Sequence, residues 1–526
     1  MRGNSFRLLR TAALRPQPRK PACSLPQYGI RWSSSSAERQ WSTPLAKSLA
    51  KAIETTGPIS VAAYMRQCLT SPDGGYYTRQ TPGHDQFGAK GDFITSPEIS
   101  QVFGELVGIW LYTEWLAQGK SDRVQVIEVG PGRGTLLDDV LRTISSFKGF
   151  AQSIEAIYLV EASPHLRSQQ AKLLSGTEAV LQETDLGWKA RSKHIPGCDI
   201  HWCEDIRFIP KESSPTPFIL AHEFFDALPI HIFRAVPHSH IPASSTTLTP
   251  TGPLKPKRGP SSEPSPQWHE LLVAPVTASS TTTTTFSTSS TAPPPSAVDD
   301  FHLTLSKAPT PHSLYLPRTS ARYEALATTP DATIEISPES LSYIADFAVR
   351  IGGANPPPSP TPTTPSTTLS SPQAQPPSGC ALILDYGPAT TIPAATLRGI
   401  RSHHATSPFA SAGLVDLSAD VDFVALAEAA LAASPGVEVH GPVQQADFLE
   451  SLGIGERVAG LVRGKGKSGG KEEEEEMVRR IEGGWKRLVD RGPAGMGRIY
   501  KAMAVVPHRE GVKGVRRPVG FGGDVV

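Results

Sequence analysis

Three glycines at alternate positions follow an apolar run of the chain. They are Gly130, Gly132 and Gly134, and the run before them, VQVIEV, carries the acidic residue Glu128. The residues after the glycines, TLLDDVLRTI, repeat apolar side chains at helical spacing. A strand, a glycine turn and a helix in this order place backbone N–H groups against a ligand. The stretch therefore predicts a binding loop for a nucleotide-like ligand.

The spacing of these glycines indicates which class of nucleotide-like ligand the loop binds. A dinucleotide fingerprint needs G-x-G-x-x-G, but here the third glycine comes one place early and Thr135 occupies the sixth position. A Walker A loop needs Gly-Lys-Ser/Thr, which this loop lacks. An acidic residue, one apolar residue and G-x-G-x-G instead match the nucleoside-binding loop of methyltransferases that use S-adenosylmethionine (AdoMet). A structural turn without a ligand is the alternative.

Further acidic residues follow the next apolar runs. Glu161 follows the run AIYLV, where a carboxylate can accept hydrogen bonds from two ribose hydroxyls, and Asp205 after the third strand could reach an adenine amino group. Glu223 and Asp226 lie in AHEFFDALPIHIF, after the fourth strand, where carboxylates can orient a cationic acceptor and aromatic rings can stack on it. The alternatives are a solvated acid at the strand end and a charged turn that caps the next helix.

The glycine loop and these acids can form one site only if the strands before them end at the same edge of a sheet. From residue 121 the chain alternates apolar runs with helical patterns, which predicts an α/β domain with a parallel sheet covered on both faces. Segments rich in Pro, Ser and Thr at 238–266, 275–297 and 354–379 cannot bury enough surface to fold. The run ALILDYG at 381–387 resumes the buried-strand pattern, so these insertions interrupt one domain.

The N-terminus has a distinct composition. Residues 1–37 contain seven basic residues and no acidic residue, which is typical of a mitochondrial transit peptide. The predicted organisation of the chain is a transit peptide at 1–37, an N-terminal helical cap at 38–120, a first core part at 121–237, inserted strands with low-complexity segments at 238–353, a Pro/Ser/Thr-rich insertion at 354–379, a C-terminal core part at 380–508 and a tail at 509–526.

Composition narrows the class of protein further. The net charge of +1 over 526 residues gives no reason to favour nucleic acid as a partner. The five cysteines are scattered without a CxxC pair, which indicates reduced thiols and predicts neither a disulfide framework nor a metal site. No apolar run approaches the roughly 18–20 residues that span a bilayer. The sequence does not set the oligomeric state.

Eight stretches of the chain stand in the same order in the MidA-like family, which the sequence therefore resembles over roughly residues 45–508. They are GPISVAAYMRQCLT, GYY, KGDFITSPEISQVFGELVGIW, EVGPGRGTLLDDVLR, EFFDALPIHIF, LILDYG, TLRGIRSHH and DLSADVDF. The resemblance implies a class I AdoMet-dependent methyltransferase fold, Rossmann-like, with AdoMet as methyl donor. Mitochondrial members of that family are protein-arginine methyltransferases and complex I assembly factors. For this chain the resemblance implies the mitochondrial matrix and symmetric dimethylation of an arginine on a complex I subunit of the 49-kDa type.

The resemblance also carries over to individual residues. It implies that the three glycines and Glu161 bind the cofactor, that Glu223 and Asp226 face the acceptor, and that the segment Gly91–Glu98 closes over the methionine end of AdoMet. The chain departs from the family in its long insertions and in His222, where an asparagine often stands. Two carboxylates could fix the plane of a guanidinium, which is a poor nucleophile. We expect Glu223 to be one of them, with Asp226 or Asp385 as its partner.

Three other functions remain open from the sequence. A non-catalytic AdoMet-binding assembly chaperone for complex I would have the same cofactor residues. An NAD oxidoreductase would use the same kind of glycine loop. Methylation of RNA or of a small molecule is the third, although the near-zero net charge and the lack of an Asn/Asp-Pro-Pro-Tyr/Phe loop disfavour nucleobase chemistry.

Overall fold

The structure is a computed structural model of the chain. It describes residues 39–79, 88, 91–211, 215–236, 247–249, 252–254, 267–276, 299–354, 376–465, 471–508 and 516–522. The predicted transit peptide at 1–37 lies outside the described residues. So do most of the predicted insertion at 354–379, most of the predicted tail at 509–526 and most of the Pro/Ser/Thr-rich residues between 237 and 298.

The strands in the described residues are numbered along the chain. They are β1 (Ile59–Ser60), β2 (Val124–Val129), β3 (Ile154–Val160), β4 (Gln182–Thr184), β5 (Gly187–Arg191), β6 (Asp199–Cys203), β7 (Thr216–His222), β8 (His231–Val236), β9 (Thr247–Thr249), β10 (Gly252–Leu254), β11 (Gln267–Pro275), β12 (Phe301–Leu305), β13 (Thr333–Ile336), β14 (Cys380–Tyr386), β15 (Arg398–Arg401), β16 (His404–Thr406), β17 (Asp416–Ser418), β18 (Val437–Gln444) and β19 (Tyr500–Pro507).

The helices are numbered in the same way. They are α1 (Pro44–Thr56), α2 (Val61–Thr70), α3 (Ser96–Ile99), α4 (Gln101–Ala117), α5 (Thr135–Ile144), α6 (Lys148–Ser153), α7 (Pro164–Ser175), α8 (Pro311–Tyr315), α9 (Ala321–Leu326), α10 (Pro338–Gly352), α11 (Phe423–Ala433), α12 (Gln445–Ser451), α13 (Ile454–Lys465) and α14 (Lys471–Val489). Among the described residues, no helix is both long enough and apolar enough to cross a membrane.

The central sheet has the strand order β18-β19-β14-β7-β2-β3-β6-β5-β4. Its middle strands β14, β7, β2, β3 and β6 are parallel, whereas β19 is antiparallel to both of its neighbours. The chain builds outward from β2 through β3 to β6, and then starts again at β7 on the other side of β2. Strand order thus reverses between β2 and β7, and open α/β sheets bind ligands beyond the carboxyl ends of the strands at such a point. The predicted parallel α/β sheet is confirmed.

Helices cover both faces of this sheet. Successive residues of a strand point to opposite faces, and β2 is apolar toward both. Val124 and Val126 share a core with residues of α4 and α5, whereas Ile127 and Val129 share a second core with residues of α10 and α11. This two-sided burial explains why the run VQVIEV is almost continuously apolar instead of alternating.

A second sheet is built from residues between β7 and β14 together with β1. Strand β11 pairs antiparallel with β8, β12 and β1, and β13 pairs with the other edge of β8. Helices α1 and α2 pack against it, since Leu49, Tyr64 and Val273 belong to one apolar core. Strand β8 begins at His231, five positions after Asp226, so the second sheet starts beside the candidate acceptor loop.

The apolar stripe that follows Ser96, a candidate N-cap, predicts one helix to about Ala117, but the structure interrupts this helix. The chain leaves the helical conformation at Ser100, whose φ is −155°, so α3 ends at Ile99 and α4 begins at Gln101. The cap of α3 is Thr95 and not Ser96, because the Thr95 N–H donates to the Glu98 side chain at 3.2 Å. The interruption leaves the short segment before α4 as a separate element above the central sheet.

Candidate active site

The glycine loop connects the end of β2 to the start of α5. Its glycines have positive φ angles, 64° at Gly130, 54° at Gly132 and 85° at Gly134. The Gly134 N–H donates to the Pro131 carbonyl at 2.7 Å and closes the turn before the helix. A Cβ atom at Gly130 would lie 2.5 Å from Cδ2 of Phe224, so this position needs glycine for its conformation and for space. The glycine loop therefore also packs on the candidate acceptor loop.

Glu161 follows β3 and is held in place on both oxygens. Its Oε1 accepts from the Ser163 N–H at 2.7 Å and its Oε2 accepts from Gln170 Nε2 at 3.1 Å. The same Gln170 nitrogen donates to the Gly132 carbonyl at 2.6 Å, and Gln170 Oε1 accepts from Trp202 Nε1 at 2.9 Å. Since a carboxylate offers about four lone-pair sites, Glu161 can still accept ribose hydroxyls. Burial raises the pKa of Glu161 to about 7, although the two donors oppose that shift.

Glu128 is buried within β2, two positions before Gly130. Within the described part of the chain its Oε2 atom has no hydrogen-bond partner, and burial raises the pKa of this carboxyl to about 8. A buried polar atom without a partner destabilises a fold by roughly 1–3 kcal/mol. Glu128 therefore has unused capacity to accept a hydrogen bond from a ligand at the switch point.

Asp205 lies after β6, as the strand pattern predicted, but its oxygens already have partners. Arg207 donates to Asp205 from its backbone N–H at 2.8 Å and from Nε at 2.9 Å, and it forms an ion pair with Asp205 at 2.6 Å. Hydrogen bonds from Arg207 lower the pKa of Asp205. Asp205 thus caps the short 3-10 helix 206–208, and its contact with adenine stays a prediction.

The segment Gly91–Glu98 lies between the glycine loop and the candidate acceptor loop. The Ser96 N–H donates to Glu223 Oε1 at 3.4 Å, and Arg133 Nη1 donates to Glu98 Oε1 at 3.3 Å. The segment therefore contacts both sides of the switch point. Its predicted closure over the methionine end of AdoMet stays a prediction.

Glu223 follows β7 in a backbone conformation that is uncommon for this residue type. Its φ is 48°, and its N–H donates to the Leu384 carbonyl at 2.9 Å. Asp385 Oδ2 accepts from the backbone N–H groups of Phe224 at 3.1 Å and Phe225 at 2.9 Å. Left-handed backbone in a residue other than glycine persists only where the surroundings impose it, and it clusters at functional sites. The buried Asp385 carboxylate imposes it here.

Asp226 is buried at the end of the same loop. Tyr386 donates its hydroxyl to Asp226 Oδ2 and also contacts Ser418 Oγ, whereas Asp226 Oδ1 has no hydrogen-bond partner among the residues that the structure describes. Arg398 lies over the Tyr386 ring with its guanidinium carbon 4.9 Å from the ring centroid. Tyr386 thus fixes one oxygen of Asp226, while the second oxygen has remaining capacity to accept a hydrogen bond. Because Asp385 is engaged with the backbone, this arrangement favours Asp226 as the partner of Glu223.

The acids of this edge raise one another's pKa values. Burial raises the pKa of Glu223 well above its usual range, and the charge of Asp226 adds to that shift. Burial and the same neighbour raise the pKa of Asp416 to about 8, and Tyr77 donates its hydroxyl to Asp416 at 2.9 Å. Burial lowers the pKa of His222 to about 3, so its 3.3 Å contact with Glu223 joins a neutral imidazole to a carboxyl group. A site lined by several neighbouring acids favours the binding of a cationic ligand.

These residues fit a ligand that is cationic and rich in hydroxyl donors. Hydroxyls of a ribose need acceptors, which Glu161 and Glu128 Oε2 provide, and a positive sulfur needs a negative surrounding. Positive-φ glycines keep the turn free of side chains, so that backbone N–H groups can approach the ligand. The geometry therefore fits AdoMet.

Sequence reasoning missed Gln170, which joins Glu161 to the glycine loop. It named Asp385 as a candidate contact of the acceptor and missed that this carboxylate holds the backbone of the acceptor loop. A signal exists for Gln170, because it lies four positions after the buried Leu166 and four before the buried Leu174 on α7. A polar residue on an apolar helical face indicates a specific buried partner.

The doubly wound sheet, the G-x-G-x-G loop after β2 and the acid after β3 define an AdoMet-dependent methyltransferase of class I. Residues 106–443 match the family model described as "Putative S-adenosyl-L-methionine-dependent methyltransferase". The chain belongs to this family and uses AdoMet as methyl donor, which confirms the predicted fold class, cofactor and MidA-like resemblance.

Similar proteins agree with this assignment. The relative from Rattus norvegicus named "Protein arginine methyltransferase NDUFAF7, mitochondrial" is 32% identical over 476 residues, 90% of this chain and 86% of its own length. Its namesake in Homo sapiens is 31% identical over 470 residues, 89% of this chain and 84% of its own length. A crystal structure of a Burkholderia thailandensis protein bound to S-adenosyl-homocysteine has a TM-score of 0.58, 20% identity and coverage of 91% and 94% of the two chains. The last likeness shows the fold.

Proposed function

We propose that this enzyme transfers methyl groups from AdoMet to an arginine side chain of a protein, giving symmetric dimethylarginine. The observation that carries the proposal is the pair of acids Glu223 and Asp226 at the switch point. Asp226 is buried and the Glu223 side chain is only 12% exposed, and Asp226 Oδ1 has no hydrogen-bond partner within the described part of the chain. A guanidinium is planar and always charged, and it binds carboxylates through paired N–H groups. A site with an excess of buried acids is suited to such an acceptor.

The residues act mainly by positioning. Asp226 Oδ1 accepts an N–H of the guanidinium, and Glu223 accepts from the nitrogen that is methylated. Fixing the guanidinium plane in this way leaves the lone pair of that nitrogen facing the cofactor. AdoMet, when bound, supplies the methyl group on a positively charged sulfur. Glu223 takes the proton that the nitrogen loses. Its raised pKa suits this step, because a carboxylate whose acid has a higher pKa is a stronger base.

The relatives and the N-terminus support the proposed substrate and compartment. The relatives carry "mitochondrial" and "protein arginine methyltransferase" in their names. The basic, acid-free composition of residues 1–37 supports import into the mitochondrial matrix. We place the substrate among complex I subunits, as a subunit of the 49-kDa type whose methylation complex I assembly requires.

The test is Glu223→Gln in the full chain, with Glu204→Gln as matched control, an exposed acid after strand β6 of the same sheet. Mass spectrometry of complex I subunits gives the amount of symmetric dimethylarginine, and calorimetry gives AdoMet affinity. We expect Glu223→Gln to lose the modification while it binds AdoMet, and Glu204→Gln to keep both. Undiminished dimethylarginine in Glu223→Gln would refute the role of Glu223. Normal complex I assembly without any dimethylarginine would instead make the protein a non-catalytic AdoMet-binding chaperone.

A further inference from the structure

We propose that His231, Glu270 and His312 form a binding site for one divalent transition-metal ion of the Zn²⁺ class, on the second sheet. His231 opens β8, Glu270 lies in β11 and His312 lies in α8, so three elements separated along the chain supply the donors. One donor atom from each residue lies within 4.8 Å of the others. The site is separate from the acids and glycines assigned to methyl transfer.

The distances are close to those of a coordinated ion. His231 Nδ1 lies 2.6 Å from Glu270 Oε1, and His312 Nδ1 lies 3.9 Å from Glu270 Oε2. Zinc binds histidine nitrogens and carboxylate oxygens at about 2.0–2.2 Å in tetrahedral geometry, which places neighbouring ligand atoms about 3.3 Å apart. Shifts below about 1 Å in the three side chains would therefore seat an ion between them.

The surroundings resemble a built site with one open side. Glu270 and His231 are buried, whereas half of the His312 side chain is exposed and leaves a path for the ion. Thr310 donates its hydroxyl to Glu270 Oε2, and Phe233 stacks on His231 with an angle of 7° between the rings. Outer contacts of this kind orient metal ligands in proteins.

Two imidazole rings share one carboxylate in this cluster. The ring centroids of His231 and His312 are 4.1 Å apart, which is too close for two imidazolium charges to be favourable. A single carboxylate balances only one of those charges. A divalent ion instead uses a lone pair of each neutral ring together with the carboxylate charge. Two histidines and one glutamate with an open fourth position are a ligand set that zinc uses in proteins.

The consequence of binding is local. The ion would join α8 to strands β8 and β11, since it ties His312 to residues on those strands. Bound zinc therefore stabilises the second sheet against unfolding, because it binds the folded site and not the dispersed ligands.

The test uses the full-length protein treated with a chelator and titrated with Zn²⁺ in calorimetry, with bound Co²⁺ followed by its visible absorption. We expect one ion per chain and a higher melting temperature with Zn²⁺. His312→Ala and Glu270→Gln should each weaken zinc binding more than about tenfold, and Thr310→Val about tenfold. His404→Ala, which removes an exposed histidine outside the cluster, is the control and should bind as the wild type does.

Two results would overturn the proposal. One is the absence of stoichiometric Zn²⁺ or Co²⁺ binding by the wild type, which would leave a His231–Glu270 hydrogen bond without an ion. The other is equal zinc affinity in His312→Ala and His404→Ala, because nonspecific surface binding would then explain the signal. Since His312 is half exposed, circular dichroism of that variant distinguishes loss of a ligand from loss of the fold.

Discussion

The contact between the cofactor loop and the acceptor loop leads to a quantitative prediction. Gly130 has a φ of 64°, and a Cβ atom added there would lie 2.5 Å from Cδ2 of Phe224. Gly130→Ala therefore strains the backbone and pushes on the residue between Glu223 and Phe225. We expect this one methyl group to lower both the free energy of unfolding and the affinity for AdoMet.

The magnitude has two components. A left-handed conformation costs an L-residue about 1–2 kcal/mol, and overpacking a buried contact costs about 1–3 kcal/mol. The free energy of unfolding of Gly130→Ala should thus be lower by about 2–5 kcal/mol. Only the packing component displaces the glycine loop that we propose to bind AdoMet. If the whole packing component of about 1–3 kcal/mol opposes AdoMet binding, the dissociation constant for AdoMet rises by about fivefold to 150-fold, since about 1.4 kcal/mol corresponds to a factor of ten.

The two components can be measured separately. Gly197→Ala is a matched control, because Gly197 has a φ of 84° and an added Cβ atom would have no neighbour within 4 Å. The decrease in the free energy of unfolding of Gly197→Ala, measured by urea denaturation, therefore gives the conformational component alone. Phe224→Leu removes the ring edge that meets the new methyl group, so the double variant Gly130→Ala/Phe224→Leu should regain the packing component in a double-mutant cycle.

Either of two outcomes would refute this reasoning. Equal losses of unfolding free energy in Gly130→Ala and Gly197→Ala would mean that the contact with Phe224 is unimportant. A coupling energy of zero in the cycle would mean that the two loops do not press on each other. AdoMet titration calorimetry on the same four proteins then shows whether the loss of affinity follows the coupling energy.

Further predictions concern the other residues that we propose to bind or position the cofactor. Gly132→Val should abolish AdoMet binding in calorimetry while circular dichroism shows an intact fold; unchanged affinity would make the loop a plain turn. Gln170→Leu removes a hydrogen bond to the Glu161 carboxylate, and since such bonds contribute about 1.5–3 kcal/mol, AdoMet affinity should fall by about tenfold to 100-fold. A dissociation constant equal to that of wild type would contradict the bridging role of Gln170. Glu128 has a pKa of about 8 in the folded chain and an ordinary value near 4.5 otherwise, so between these values the folded state holds the proton that the unfolded state releases. Stability of the ligand-free protein therefore falls as pH rises through this window, and Glu128→Gln should remove that part of the fall in urea denaturation at about pH 5 and about pH 8. Identical pH profiles for the two proteins would show that burial does not perturb Glu128.

The glycine turn after β2 and the parallel sheet could be predicted because their signals are local. VQVIEV and the glycines after it determine a buried strand and a turn, and Glu161 is found by counting to the end of the next strand. Asp385 illustrates the limit of such reasoning. Its type and position predicted an acceptor contact, whereas the fold uses its Oδ2 atom for backbone N–H groups some 160 residues earlier in the chain. A contact between residues so far apart along the chain produces no periodic pattern in the sequence.

Element boundaries were harder to predict where polar and apolar residues mix. The break at Ser100 depends on one serine whose side chain accepts from the Val102 N–H at 3.3 Å, and the residues on both sides have helical patterns. The hairpin β4–β5 has the sequences QET and GWKAR, which lack a clear alternation. It forms because β5 pairs with β6, a tertiary contact that overrides weak local preference.

The place of β19 in the central sheet determines the order in which the fold can form. Strand β14 pairs with β7 across roughly 160 residues of chain, and its other edge is covered only by β19, among the last described residues. Until Tyr500–Pro507 is available, an apolar strand with unpaired backbone groups remains at the edge of a sheet, and such edges recruit other chains. Folding of this enzyme is therefore slow by topology and open to aggregation during synthesis. Truncations before residue 500 should accumulate as insoluble protein even though they retain every residue of the AdoMet loop.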